Sequence, residues 1–174
     1  MAPESDAQTG EKNPNPYERL KGRNKIRTDV VIVEDKEEDR QVLRTVMESC
    51  GYKVVEVRDA RKFTQIIGGQ KSSWIPELII TDLVLDGSSG YEVLRNVRPR
   101  FEEKKVPLIV VSSLSGDEDI FEAQTAGANA FLVKPYSPQD LLDAICSTLE
   151  NLRKPIMERK NGLYVKRPEE EGGY

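Results

Sequence analysis

Through the middle of the chain, short runs of consecutive apolar residues alternate with segments whose apolar positions recur every three or four residues. Val30-Val31-Ile32-Val33 is β-branched and apolar throughout, the pattern of a strand buried on both faces. It stops at Glu34-Asp35. From about Lys36 to Cys50 the apolar residues Val42, Leu43, Val46, Met47 and Cys50 share one helical face, and Gly51 ends the segment. Lys53–Val57 reads as a second strand, and Asp59 caps a short helix through Ile67, closed by Gly68-Gly69. Leu78–Thr81 is the third strand. Ser88-Ser89 begin a helix bearing Tyr91, Val93, Leu94 and Val97, disturbed at Pro99. Val106–Val111 is the fourth strand, followed by a helix over Asp117–Thr125 that ends at Gly127. Ala130–Val133 is the fifth, and Ser137 caps a final helix with the stripe Leu141, Leu142, Ile145, Leu149 and Leu152.

Strand then helix, repeated five times, predicts an α/β domain. Its sheet is parallel, with right-handed crossovers and helices on both faces. The expected domain spans residues 28–152. Residues 1–27 form a polar arm with Asn13-Pro14-Asn15-Pro16 at its centre, too poor in apolar residues to offset its own ordering entropy. Arg19, Lys21, Arg23, Lys25 and Arg27 make that arm basic, which suits either a solvated leader or a docking segment. Residues 153–174 are a polar tail. Within it Asn161-Gly162 separates Ile156–Lys160 from Leu163–Arg167, a hairpin signal that needs packing on the domain or a partner to persist.

Composition narrows the function. The chain has 174 residues and a formal charge of -4, mild enough to argue against general binding to nucleic acid or an anionic membrane. No apolar run approaches a membrane span, and Met1–Asp6 lacks the features of a secretion signal, so a cytoplasmic location is expected. Cys50 and Cys146 fit no metal spacing and read as reduced core thiols. There is no histidine. That excludes a histidine triad, a histidine-ligated zinc and a phosphohistidine within the chain.

The candidate chemistry lies where the strands end. The first ends in Glu34-Asp35, the third in Asp82, the fourth in Ser112-Ser113 and the fifth in Lys134. In a parallel sheet these ends share one edge, where open α/β sheets bind ligands. Clustered carboxylates repel one another, and a hard divalent cation such as Mg²⁺ relieves that. A carboxylate can also act as a nucleophile and form an acyl phosphate, whose oxygens Lys134 and Mg²⁺ would neutralise.

Val33-Glu34-Asp35, Thr81-Asp82, Gly90, Val110-Val111-Ser112-Ser113, Ala126-Gly127-Ala128 and Phe131-Leu132-Val133-Lys134-Pro135 together resemble the receiver domain of bacterial two-component response regulators, here of the stand-alone type. The resemblance implies the flavodoxin-like strand order 2-1-3-4-5. It implies Asp82 as phosphoacceptor, with Glu34, Asp35, Asp82 and the Val84 carbonyl holding Mg²⁺. Ser112, with Ser113 beside it, is the implied switch hydroxyl, Phe131 the switch aromatic that turns inward, and Lys134 the phosphate-pairing lysine. A cis bond is implied before Pro135. Val84 and Leu114 occupy the two positions that tune dephosphorylation. Two positions depart from the family: Asp86 stands where proline is frequent, and Ser113 where alanine is frequent.

The implied function is a phosphoacceptor signalling module in a phosphorelay. A sensor histidine kinase or a phosphotransfer protein would supply the phosphoryl group. A downstream protein, or a phosphorylation-dependent homodimer, would read the face of the fourth helix, fifth strand and fifth helix. No direct nucleic-acid or membrane contact and no turnover of a separate substrate are expected. Two other readings exist. A degenerate scaffold would not need the acid cluster, Ser112 and Lys134. A hydrolase working through an aspartyl phosphate would need a nearby acid, and Val84 cannot supply one.

Overall fold

The computed structural model describes residues 29–69, 75–101, 106–154 and 162–168. The expected N-terminal arm, and the stretch Ile156–Lys160 of the tail, lie outside these residues.

Strands β1 (Asp29–Val33), β2 (Lys53–Val57), β3 (Leu78–Thr81), β4 (Leu108–Ser112) and β5 (Ala130–Val133) are joined by helices α1 (Glu37–Ser49), α2 (Ala60–Gly69), α3 (Gly90–Arg100) and α4 (Asp117–Thr125). Helix α5 (Pro138–Arg153) and a further strand, β6 (Tyr164–Lys166), complete the fold. The six strands run in the order β2-β1-β3-β4-β5-β6, and every neighbouring pair is parallel. The doubly wound order 2-1-3-4-5 is therefore present, with one strand added at its β5 edge.

The core divides by strand alternation. Val31, Val33, Ile79, Val110, Phe131 and Val133 point to one face, against Phe63 and Ile67 of α2, Val93, Leu94 and Val97 of α3, and Ile120 and Ala123 of α4. Val30, Ile32, Ile80, Ile109, Val111 and Leu132 point to the other, against Leu43 and Met47 of α1 and Leu141, Leu142 and Ile145 of α5. Both faces are covered, which is why β1, β3, β4 and β5 are unbroken apolar runs. Cys50 and Cys146 are buried and form no disulfide.

Several local expectations shift. Strand β4 begins at Leu108 rather than Val106, because Pro107 has no N–H to give the ladder; its carbonyl accepts from the Ile79 amide instead. Ser88-Ser89 do not open a helix. They pair antiparallel with Val84-Leu85 across Asp86-Gly87, where Gly87 takes φ 66°, and only then does Ser89 cap α3 by accepting from the Tyr91 amide. Val42 faces outward, while Arg40 is buried. The segment read as the second arm of a hairpin is β6, and its described pairing is parallel, with β5. The chain reaches that edge after running back along α5, so it enters in the direction of the sheet. Leu163 and Tyr164 then pack against the two core clusters.

Candidate functional site

The sheet's hydrogen-bond ladder runs one residue past β1, β3 and β5, and this sets the site. The Glu34 amide donates to the Val57 carbonyl, the Asp82 amide to Val33 and the Lys134 amide to Ser112. Three functional side chains are thereby held by sheet geometry at one edge. Glu34, Asp82 and Ser112 are all buried.

Lys134 Nζ joins them. It donates to Glu34 Oε2 at 2.9 Å, Asp82 Oδ2 at 2.8 Å and Asp39 Oδ2 at 2.6 Å. The other Asp82 oxygen, Oδ1, accepts from Ser112 Oγ and from the Val84 amide, both at 2.9 Å. Both carboxylate oxygens of Asp82 are thus fixed by donors. Burial pushes Glu34 up to about 7, against the opposing pull of Lys134. For Lys134 burial acts downward, but its bonds to Asp39, Asp82 and Glu34 outweigh it and the ammonium is held above its ordinary range.

Helix α3 abuts this edge. A Cβ on Gly90 would lie 1.9 Å from the Asp82 carbonyl oxygen and 2.6 Å from Leu83 Cα. Any side chain there would force the helix away from the acid-bearing strand. Close approach, rather than backbone freedom, is what requires glycine at this position.

Asp35 is half-buried and stands slightly apart. Its Oδ2 accepts from the Asp86 amide at 3.1 Å, and its Oδ1 is buried without a partner. The departure at position 86 therefore adds a donor that proline would lack. Ser113 is exposed. Leu114 is half-buried, with its amide 3.4 Å from Ser112 Oγ; Val84 is 46% exposed. The bond between Lys134 and Pro135 is cis.

The Phe131 ring is fully buried among the side chains of the α2–α4 face, in an arrangement where Ser112 is bound to Asp82.

Arg40 and Asp39 are site residues that the sequence reading missed. Arg40 is 3% exposed, and its guanidinium donates to the carbonyls of Glu34 at 2.8 Å and Asp35 at 3.1 Å. It also pairs with Glu56 and Glu37. It fastens the turn that presents both acids. Asp39 gives Lys134 a partner from α1. Their spacing from Glu34-Asp35, four and five residues on, was the available signal, since it returns the first turn of α1 to the sheet edge.

Among the described residues, no group of three or more His, Cys, Asp or Glu side chains is placed to hold a metal ion. Lys134 occupies the space between Glu34 and Asp82. The donor set is nonetheless all hard oxygen, and the orphaned Asp35 Oδ1 is an acceptor awaiting a partner.

Residues 30–146 match the family described as the response regulator receiver domain. The two-component response regulator ORR11 of Oryza sativa is 30% identical over 112 residues, covering 64% of this chain and 74% of its own. The phosphate regulon regulator PhoB of Escherichia coli is 24% identical over 129 residues, a match that spans 55% of that protein. Among solved structures, a CheY-like receiver domain protein from Methanospirillum hungatei superposes with a TM-score of 0.64 at 24% identity, covering 72% of this chain and 96% of its own. A response regulator receiver protein from Pseudomonas putida gives 0.60 at 27% identity, over 70% and 97%.

Proposed function

The chain belongs to the response regulator receiver family, and from that membership we propose that Asp82 is its phosphoacceptor, charged by a sensor histidine kinase or a phosphotransfer protein. The observation that supports this best is the setting of Asp82. It is a buried carboxylate at a strand end, with Lys134 and Ser112 as donors on its two oxygens.

A carboxylate oxygen of Asp82 attacks the phosphorus. The new O–P bond forms as the P–N bond of the donor phosphohistidine breaks, and the electron pair leaves on the imidazole. Lys134 is within reach of the phosphoryl oxygens because it already touches Asp82. Ser112 exchanges its bond to Oδ1 for one to a phosphoryl oxygen. Glu34, Asp35 and Asp82, with the Val84 carbonyl, are the hard-oxygen donors that would hold Mg²⁺, and Mg²⁺ there would supply charge neutralisation for the phosphoryl group. Arg40 keeps Glu34 and Asp35 presented.

Phosphorylation replaces the single charge of the Asp82 carboxylate with up to two on the phosphoryl oxygens, a net gain of about one negative charge at this edge. The response runs from Ser112 through the loop that leads from it, by Leu114, into α4, with Phe131 of β5 as the switch aromatic. A protein partner then reads the face made by α4, β5 and α5. No separate substrate is turned over.

The test is incubation with acetyl phosphate and Mg²⁺, followed by intact-mass measurement. A phosphoryl adduct is expected on the wild-type chain and absent on Asp82→Asn. No adduct on wild type, or an equal one on the variant, contradicts the proposal.

A further inference from the structure

Strand β6 lies beyond the matched receiver region, which ends at residue 146, yet it is built into the sheet. Tyr164, Val165 and Lys166 stand in register with Ala130, Phe131 and Leu132 of β5. The Tyr164 amide donates to the Asn129 carbonyl at 3.2 Å. Leu163 packs against the core cluster on the α2–α4 side and Tyr164 against the one on the α1–α5 side. Two ion pairs extend the attachment sideways. Lys166 reaches Asp140 on α5 at 3.2 Å, and Arg167 pairs with Asp117 at the start of α4. A few residues thus close the β5 edge, which would otherwise present unpaired N–H and C=O groups, and they touch both flanking helices.

We infer that the C-terminal strand is an intramolecular strap that occupies the α4–β5–α5 face, holds it in its unphosphorylated arrangement and opposes switching. This rests on the phosphoacceptor reading of Asp82. Strand β5 ends at Lys134, which binds Asp82, and α4 follows the loop that leaves Ser112. Any displacement of α4 or β5 relative to α5 must stretch β6 or its ion pairs. The attachment is short, and its charged contacts are partly solvated and individually weak, so a local electrostatic event can loosen it. Coupling is reciprocal: if the strap favours the unphosphorylated state, a phosphoryl mimic at Asp82 must weaken the strap.

The full chain is titrated calorimetrically with beryllium fluoride in Mg²⁺. Wild type is compared with Tyr164→Pro, which removes the amide bonded to Asn129, and with Lys166→Glu/Arg167→Glu, which sets like charges against Asp140 and Asp117. Both variants should bind the mimic about five-fold or more tightly than wild type, at the low end of common allosteric couplings. In wild type, hydrogen exchange at the Tyr164 amide should quicken when the mimic binds. If Tyr164→Pro does not fold, the charge-reversed protein carries the comparison. Equal affinities with unchanged exchange overturn the strap and leave Asp82 as acceptor. Failure of all the proteins to bind the mimic overturns the acceptor reading and the strap together.

Discussion

The Asp86 backbone N–H donates to Asp35 Oδ2 at 3.1 Å, so a loop residue that departs from the family pattern grips one of the two acids after β1. With Oδ2 fixed this way, the buried Oδ1 is left as a free acceptor. Proline at position 86 would delete the donor, whereas asparagine would keep it. Asp86→Pro should weaken Mg²⁺ binding by roughly 10-fold, the lower end of what lost supporting contacts cost a metal site. Asp86→Asn should bind close to wild type. Metal titration without any phosphoryl donor checks this; equal affinities in the two variants would show that the amide does not hold Asp35.

Asp39 has the shortest contact to Lys134, at 2.6 Å. The ammonium already spends its three N–H groups on three acids, and Asp39 keeps a negative charge beside the place where a phosphoryl group would sit. Asp39→Asn removes that charge at nearly constant size. Its initial rate with acetyl phosphate should rise by roughly 3- to 10-fold, the scale of one unit charge a few ångströms away in a partly solvated site. A slower variant would mean that Asp39 instead positions the lysine productively.

Glu34 makes the metal-free protein sensitive to pH. Its carboxyl titrates at about 7 in the folded chain, against 4.5 for an ordinary one, with burial as the main cause. The folded state therefore holds this proton more tightly than the unfolded state. The resulting stabilisation is complete below about pH 4.5 and is lost as pH rises through about 7. Denaturant unfolding in chelator should show stability falling across that window, with a shallower fall in Glu34→Gln. Parallel profiles would contradict the assignment.

Val84 and Leu114 predict a long-lived acyl phosphate. The Val84 amide donates to Asp82 Oδ1 and the Leu114 amide lies 3.4 Å from Ser112 Oγ, yet neither side chain can orient an attacking water. Val84→Asn and Leu114→Glu should each speed phosphoryl loss by about 10- to 100-fold, the range of a positioned acid–base group. The check is the decay of the adduct after the donor is removed. Wild-type loss within seconds, or variants no faster than wild type, would refute the prediction.

The apolar runs located β1, β3 and β5 to within a residue, because strands covered on both faces leave few polar interruptions, whereas β2, at the sheet edge, carries Lys53 and Glu56. The meeting of Glu34, Asp82, Ser112 and Lys134 followed from parallel topology alone. What stayed hidden depends on three-dimensional packing. Val42, expected on the buried face, points outward and Arg40 is buried, because the first turn of α1 faces the acid edge, where a guanidinium satisfies the Glu34 and Asp35 carbonyls. Backbone donors such as the Asp86 amide carry no mark in a sequence. Strand β6 was legible as a strand but not in its partner, since pairing with β5 depends on where α5 delivers the chain. Phe131 was legible as a β5 residue, while its buried ring depends on how closely the α2–α4 side chains surround it.

The identity of the acceptor is the central claim, and the crevice offers rivals in Glu34, Asp35, Asp39, Asp86 and Ser112. Borohydride reduces an acyl phosphate to an alcohol and so marks the residue that carried it. After incubation with acetyl phosphate and Mg²⁺, reduction and peptide mapping should mark Asp82 alone. A mark on another acid, or a phosphoryl group on Ser112 that resists hydroxylamine, would contradict the assignment.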